Sequence, residues 1–238
     1  MIEAATTLER DEAAGLRDAF RHVDTWVFKL DDTLYPRSVG LHRQLKQRVV
    51  RFVADHLAID QAAAEALHLD YYERYGATLQ GMVERHGVAP QAFLDFVHAI
   101  DLSALQRDDD LIAALEGLPG RRIVFTNASR GHAAAALDAM GLAKAFDAIA
   151  SIEDSDFVGK PHRSAFSGFL AAHGVDPGAA AMFEDRGGNL LVPHELGMKT
   201  VLVVDPLLDP SGTVAKPRHV DAVVTNLAAF LRDIAGRV

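Results

Sequence analysis

The sequence predicts an α/β fold, a doubly wound parallel sheet interrupted directly after its first strand by an all-helical insertion. Three observations predict it. Trp26-Val27-Phe28 opens an apolar run that halts at Lys29, Asp31 and Asp32 and is closed by Pro36, as expected of a buried strand that delivers polar side chains at its C-terminal end. Residues 38–118 carry helical periodicity with hardly a strand signal. From residue 121 onward short apolar runs alternate with helical patterns, which implies parallel strands joined by right-handed crossovers.

Taken in order, Thr6 to His22 reads as a short polar helix with Leu8, Ala13, Leu16 and Phe20 on one side, followed by a first strand over Thr25 to Leu30. In the insertion, Leu41, Leu45, Val49, Phe52 and Val53 recur at helical spacing. Asp60 caps a second helix that runs to Tyr75 and is broken by Gly76; a third covers Thr78 to Arg85, Pro90 fits the first turn of a fourth, and a short helix spans Asp108 to Leu118. Beyond Pro119-Gly120, strands are expected at Arg121–Thr126, Phe146–Ile152, Ala180–Phe183, Thr200–Val204 and Ala222–Val224. Helices fall at Arg130–Met140, Ser164–His173, Leu190–Leu196 and Leu227–Ile234, with Gly141 and Gly174 as natural terminators. Asp205 to Pro217 reads as a loop. Residues 1–36 and 119–238 therefore form the core and residues 37–118 a helical cap.

The chain has 238 residues, 49% of them hydrophobic and 24% charged, which suffices for a real core. A net charge of -9 argues against sequence-independent binding to a nucleic acid polymer or an anionic membrane. There is no cysteine, hence no thiol chemistry, and no apolar run approaches membrane-spanning length, so a cytoplasmic setting is expected.

Four strand ends terminate in polar residues: Lys29, Asp31 and Thr33 after the first, Thr126 and Asn127 after the second, Lys160 after the third, Glu184 and Asp185 after the fourth. In a parallel sheet these ends lie along one edge, where ligands bind. Carboxylates that hold Mg²⁺, a hydroxyl and an ammonium for phosphate oxygens, and a further carboxylate for proton transfer suit phosphoryl transfer. Each piece alone is a common turn or cap; the ordered set is far more specific.

This set resembles the motifs of the haloacid dehalogenase-like (HAD) hydrolases, in their pyrimidine 5′-nucleotidase-like branch. Phe28 through Pro36 is close to that branch's Phe-Asp-Leu-Asp-x-Thr-Leu-Tyr-Pro, and Phe125-Thr126-Asn127, Gly159-Lys160-Pro161 and Phe183-Glu184-Asp185 match its later motifs. The resemblance implies a Rossmannoid core and Mg²⁺-dependent hydrolysis of phosphomonoesters, on nucleotides or small phosphometabolites, through an aspartyl-phosphate. By position, Asp31 is then the general acid/base, Thr126 and Lys160 hold the phosphoryl group, and Asp31, Glu184 and Asp185 surround the metal. Arg74, Tyr75 and Asn127 are candidate substrate contacts, the first two from the aromatic stretch Tyr71-Tyr72-Glu73-Arg74-Tyr75.

The departure is Lys29, which stands where the family has its nucleophilic aspartate. An ammonium can neither attack phosphorus nor bind Mg²⁺, and its charge should exclude the ion or weaken it severely. Arg186-Gly187-Gly188 is a second departure, with an added cation and two helix-loosening glycines. The expectation is a phosphatase scaffold without phosphatase activity. Two alternatives stand beside it: an engineered variant using Lys29 as an amine catalyst on a carbonyl substrate, and a non-catalytic ligand-binding pseudoenzyme. Ser129 and His132 do not make a hydrolase triad, because no nucleophile elbow surrounds Ser129.

Overall fold

Six parallel strands in the order β3-β2-β1-β4-β5-β6 carry the computed structural model, which describes residues 15–210 and 215–236. They are β1 (Thr25–Phe28), β2 (Arg121–Phe125), β3 (Ala148–Ala150), β4 (Ala180–Glu184), β5 (Lys199–Val203) and β6 (Ala222–Val224). In this order the chain winds outward from β1 through β2 to β3 and then crosses back to β4 on the other side. The crevice between β1 and β4 is thus the switch point, the place where open α/β sheets bind ligands.

Strand β1 is buried on both faces, as its unbroken Thr-Trp-Val-Phe run requires. It pairs with β4 in the register Phe28↔Phe183, and those two rings stack with centroids 4.5 Å apart. Alternate residues feed opposite faces. Trp26, Phe28 and Phe183 enter one core cluster, while Val27, Ile123 and Met182 enter the other. Burying each such large side chain contributes about 1.5–3 kcal/mol.

Ahead of β1, residues 15–20 form the described part of helix α1; Leu16 packs against the core and Phe20 is buried in it. The remainder of the expected helix, with Leu8 and Ala13, lies outside the described residues. Between β1 and β2 run α2 (Leu41–Leu57), α3 (Gln61–Tyr75), α4 (Thr78–His86), α5 (Pro90–Val97) and α6 (Asp109–Glu116). Asp60 caps α3 by accepting from the Ala63 amide at 2.9 Å, and Pro90 opens α5. Helices α2 to α5 close on a cluster of their own, including Val53, Met82, Phe93 and Val97. Helix α6 instead sends Leu111, Ala114 and Leu115 into the sheet's core. The Trp26 indole donates to the Pro119 carbonyl at 2.6 Å, which ties the chain's return from the insertion to β1.

The later helices are α7 (Arg130–Ala139), α8 (Arg163–His173), α9 (Leu191–Leu196) and α10 (Leu227–Ala235). Two strands are shorter than the apolar runs suggest. β1 ends at Phe28, although the Lys29 amide still bonds to the Phe183 carbonyl at 3.0 Å, because the chain turns at residues 31–34. β3 stops at Ala150 because Ser151 and Asp154 form a capping box that starts a 3-10 turn over Ile152–Ser155. Residues 205–210 and 215–217 of the expected loop carry no helix or strand; 211–214 lie outside the described residues. Among the described residues no helix is long and apolar enough to cross a membrane.

Candidate active site

The C-terminal ends of β1 and β4 set the floor of a cleft that encloses about 500 Å³ between the sheet and the inserted helices. Lys29 follows β1 and Asp185 follows β4, and the Lys29 ammonium donates to Asp185 Oδ1 across the switch point. Burial alone would lower the pKa of Lys29. The charges of Glu184 and Asp185 outweigh it, and the ammonium is held above its ordinary range. Burial pushes the Asp185 carboxyl up to about 6, with Lys29 pulling it down and Glu184 adding to the rise.

Glu184 is fully buried, with its oxygens engaged: Oε1 accepts from Asn189 Nδ2 at 2.6 Å and lies 3.6 Å from the Lys160 ammonium, and Oε2 accepts from the Arg186 amide at 2.8 Å. Against the push of burial, Lys29 and Lys160 hold this carboxyl below its usual range. Lys160 also donates to the Phe125 carbonyl at 2.5 Å. Burial, helped by the nearby Lys29 charge, brings its ammonium down to about 8.

Asp31 sits in the turn after β1, where Oδ1 accepts from the Tyr35 hydroxyl at 2.5 Å and meets His132 Nε2 at 2.8 Å. Burial opposes ionisation, yet these partners hold the carboxyl well below the usual range. His132 stacks on His98 with ring centroids 4.6 Å apart, and His98 Nδ1 lies 3.0 Å from Ser129 Oγ. The serine and the aspartate therefore meet different imidazoles, which rules out a Ser-His-Asp relay. Asp32, at a φ of 59°, is buried and faces His42 at 3.2 Å.

The structure gathers the strand-end residues but distributes them unequally. Lys29, Asp31, Asn127 and Asp185 line the cleft. Thr126 is buried and accepts from the Ala128 amide at 3.0 Å; it and Lys160 lie behind the lining. The Asn127 side chain clamps the Lys160 backbone through bonds of 2.9 and 2.8 Å. Arg74 and Tyr75, expected as substrate contacts, do not line this cleft. Arg74 points to solvent and pairs with Asp70 one helical turn earlier, at 2.7 Å, while the Tyr75 hydroxyl takes a 3.1 Å bond from Arg85. Three α3 residues, His68, Leu69 and Tyr72, line the cleft; the Tyr72 hydroxyl accepts from Arg186 at 2.5 Å, with the guanidinium 4.4 Å from the ring centroid. Helical geometry places Arg74, two residues beyond Tyr72, on the opposite side of α3 from His68, Leu69 and Tyr72, while Tyr75, one turn beyond Tyr72, is drawn aside by its bond with Arg85.

Sequence reading missed the Tyr35 and His132 bonds to Asp31. Tyr35 carried a weak signal, four residues on within a tight turn, and His132 carried none, at a separation of 101 residues. No close contact requires glycine at 187 or 188: a Cβ at Gly188 would meet nothing within 4 Å, and one at Gly187 only Pro217 at 3.5 Å.

The donor set does not fit Mg²⁺. Asp185 Oδ1 holds the Lys29 ammonium, whose charge repels a dication, Asp31 Oδ1 is taken by Tyr35 and His132, and both oxygens of Glu184 are engaged by Asn189, Lys160 and the Arg186 amide. A hard dication needs several free oxygens on one centre. Among the described residues no group of three His, Asp or Glu side chains is arranged to hold a metal.

A doubly wound sheet with a polar cluster at its switch point, roofed by inserted helices, defines a Rossmannoid α/β protein. The chain belongs to the haloacid dehalogenase-like hydrolases, whose family profile matches residues 23–192. It is 26% identical over 193 residues to phosphate metabolism protein 8 of Saccharomyces cerevisiae, across 74% of this chain and 60% of that protein, so it spans less than two thirds of the relative's length. In structure it is similar to a HAD phosphatase from Thermococcus onnurineus (TM-score 0.61, 20% identity, 91% of this chain and 100% of that one). It is also similar to L-2-haloacid dehalogenase from Xanthobacter autotrophicus with chloropropionic acid covalently bound (0.56, 21%, 91% and 100%). A third likeness is to the HAD-hydrolase YfnB of Bacillus subtilis bound to magnesium (0.55, 15%, 89% and 98%). These three likenesses bear on the fold alone.

Proposed function

We propose that this chain retains the framework of a phosphomonoester hydrolase but is phosphatase-inactive because of Lys29, and that its cleft binds a small molecule. One observation carries the reading: the Lys29 ammonium sits on Asp185 at the switch point, where the family has a nucleophilic carboxylate and a metal. A protonated amine has no lone pair with which to attack phosphorus, and its charge repels a dication. The run Phe28 to Pro36 supports a place in the pyrimidine 5′-nucleotidase-like branch, and the phosphate in the yeast relative's name fits a phosphoester ancestry. The net charge of -9 and the lack of cysteine favour a cytoplasmic protein that does not bind nucleic acid polymers.

The amine-catalyst alternative finds no support in this environment. Schiff-base formation needs a neutral amine, and the carboxylates around Lys29 keep it protonated.

The test is hydrolysis of p-nitrophenyl phosphate with Mg²⁺, by the folded chain and by Lys29→Asp. The unaltered chain should stay at background and the variant should turn over substrate. Mg²⁺-dependent turnover by the unaltered chain overturns the proposal. Borohydride trapping with a panel of aldehydes should leave Lys29 unmodified.

A further inference from the structure

Two guanidiniums of the cleft, Arg37 and Arg186, hold no carboxylate partner among the described residues, whereas Lys29 is matched by Asp185 and Lys46 by Glu65 at 2.6 Å. Arg37 follows Pro36 at the rim of the cleft and is exposed; Arg186 rests against the Tyr72 ring beside the floor. The same cleft has an apolar wall, made by Leu45, Val49, Leu79, Phe93, Leu94 and Val97.

Several polar side chains of the cleft are already partnered, while Asp32 Oδ1 is buried there without a hydrogen-bond partner. His68 Nδ1 meets the Thr78 hydroxyl at 2.6 Å, the Tyr72 hydroxyl serves Arg186, and the Asn127 amide is held by the Lys160 backbone. A nucleobase or sugar needs donors and acceptors offered to its edges, and burying those edges without partners costs affinity. A hydrocarbon body has no such demand and gains by leaving water.

Building on the reading of the cleft as a small-molecule site, we infer that its ligand is an organic anion with an apolar body. The carboxylate or phosphate head lies on Arg37 and Arg186, and the acyl or aryl body packs on the wall of α2, α4 and α5. The inference departs from the nucleotides that the family resemblance implied, and it assigns Arg37 and the apolar wall a role in specificity. Arg guanidiniums suit this head because they bind planar or tetrahedral oxyanions through paired N–H groups.

The experiment is calorimetric titration of the full chain with hexanoate, hexyl phosphate, phenyl phosphate, inorganic phosphate and AMP. At least one of the three apolar-bodied anions should bind tenfold or more tightly than inorganic phosphate, and AMP should bind no more tightly than inorganic phosphate. Preference between hexanoate and hexyl phosphate identifies the head. The double variant Arg37→Gln, Arg186→Gln should weaken that binding by at least tenfold, and Leu45→Gln should weaken it while leaving inorganic phosphate unchanged. Equal binding of AMP and the apolar anions, absence of binding by all three, or unaltered affinity in a folded double variant overturns the inference. Hexanoate carries no phosphoester, so its binding is read independently of catalysis. Turnover of phenyl phosphate would sink the inactive-phosphatase proposal and leave this ligand preference standing.

Discussion

Lys29 donates to Asp185 Oδ1 across the ends of β1 and β4, two strands locked together one step earlier by the stacked rings of Phe28 and Phe183. The register of the sheet makes this contact, since Lys29 follows Phe28 while Glu184 and Asp185 follow Phe183. A cation at that point satisfies two buried acids by a direct bond and by its field.

Removal of the cation is therefore expected to cost stability. Lys29→Met leaves Glu184 and Asp185 facing each other with Lys160 as the remaining nearby ammonium, and breaking a largely buried pair in this way costs roughly 3 kcal/mol. Urea denaturation of the variant beside the unaltered chain measures it. A loss below about 0.5 kcal/mol, the scale of a surface pair, would contradict the buried-pair reading.

Metal response should appear with the restored carboxylate. Lys29→Asp should gain about 1.4 kcal/mol when Mg²⁺ is raised to about ten times its dissociation constant. The unaltered chain should show no shift in melting temperature over the same titration. Equal shifts in both proteins would mean that the ammonium does not control metal access.

The pH dependence of stability should carry the mark of His98. Burial, reinforced by the facing His132 ring and opposed by the charges of Asp31 and Asp95, lowers this imidazole to about 4 from an ordinary 6.5. Between those values the unfolded chain binds more protons than the folded one, so stability rises with pH and is lost as pH falls from about 6.5 towards 4. The loss should be on the order of 2–3 kcal/mol. The Asp185 carboxyl, pushed up to about 6, contributes in the opposite sense over the same window. The readout is therefore the difference in denaturation midpoint between proteins: as pH falls from 6.5 to 4, the unaltered chain should lose more stability than His98→Gln.

Tyr35→Phe tests the setting of Asp31. It removes the 2.5 Å bond to a carboxylate and leaves His132 as the remaining partner at that oxygen. The expected loss is about 1.5–3 kcal/mol, the usual range for a hydrogen bond to a charged group.

Gly76 tests how the insertion is seated on the core. It ends α3 at a φ of 76°, and a Cβ there would come within 2.5 Å of Pro161 Cδ, beside the Lys160 loop. Gly76→Ala should destabilise by about 1–3 kcal/mol from the left-handed backbone and the collision together. Hydrogen exchange should show the loss concentrated in α3 and the Lys160 loop.

Much of the architecture was legible in the chain because its signals are local. The run from Trp26 to Phe28, the Asp60 cap, Pro90 at the head of α5 and Gly174 at the end of α8 each act within a few residues. The sites of Lys29, Asp31, Glu184 and Asp185 followed from the rule that parallel strands end on one edge.

Tertiary structure alone decided how those groups are partnered. His132 reaches Asp31, and Arg186 reaches Tyr72 over 114 residues of chain, through contacts that no periodicity encodes. Which α3 residues look into the cleft was settled by helix packing, and they are His68, Leu69 and Tyr72. The sequence by itself determined where the charges would gather, because hydrophobic patterning sets the strands and their ends. The packing of the inserted helices against the sheet decided which charges meet each other and which remain for a ligand, because hydrogen bonds and ion pairs form only where side chains from distant segments come within about 3 Å.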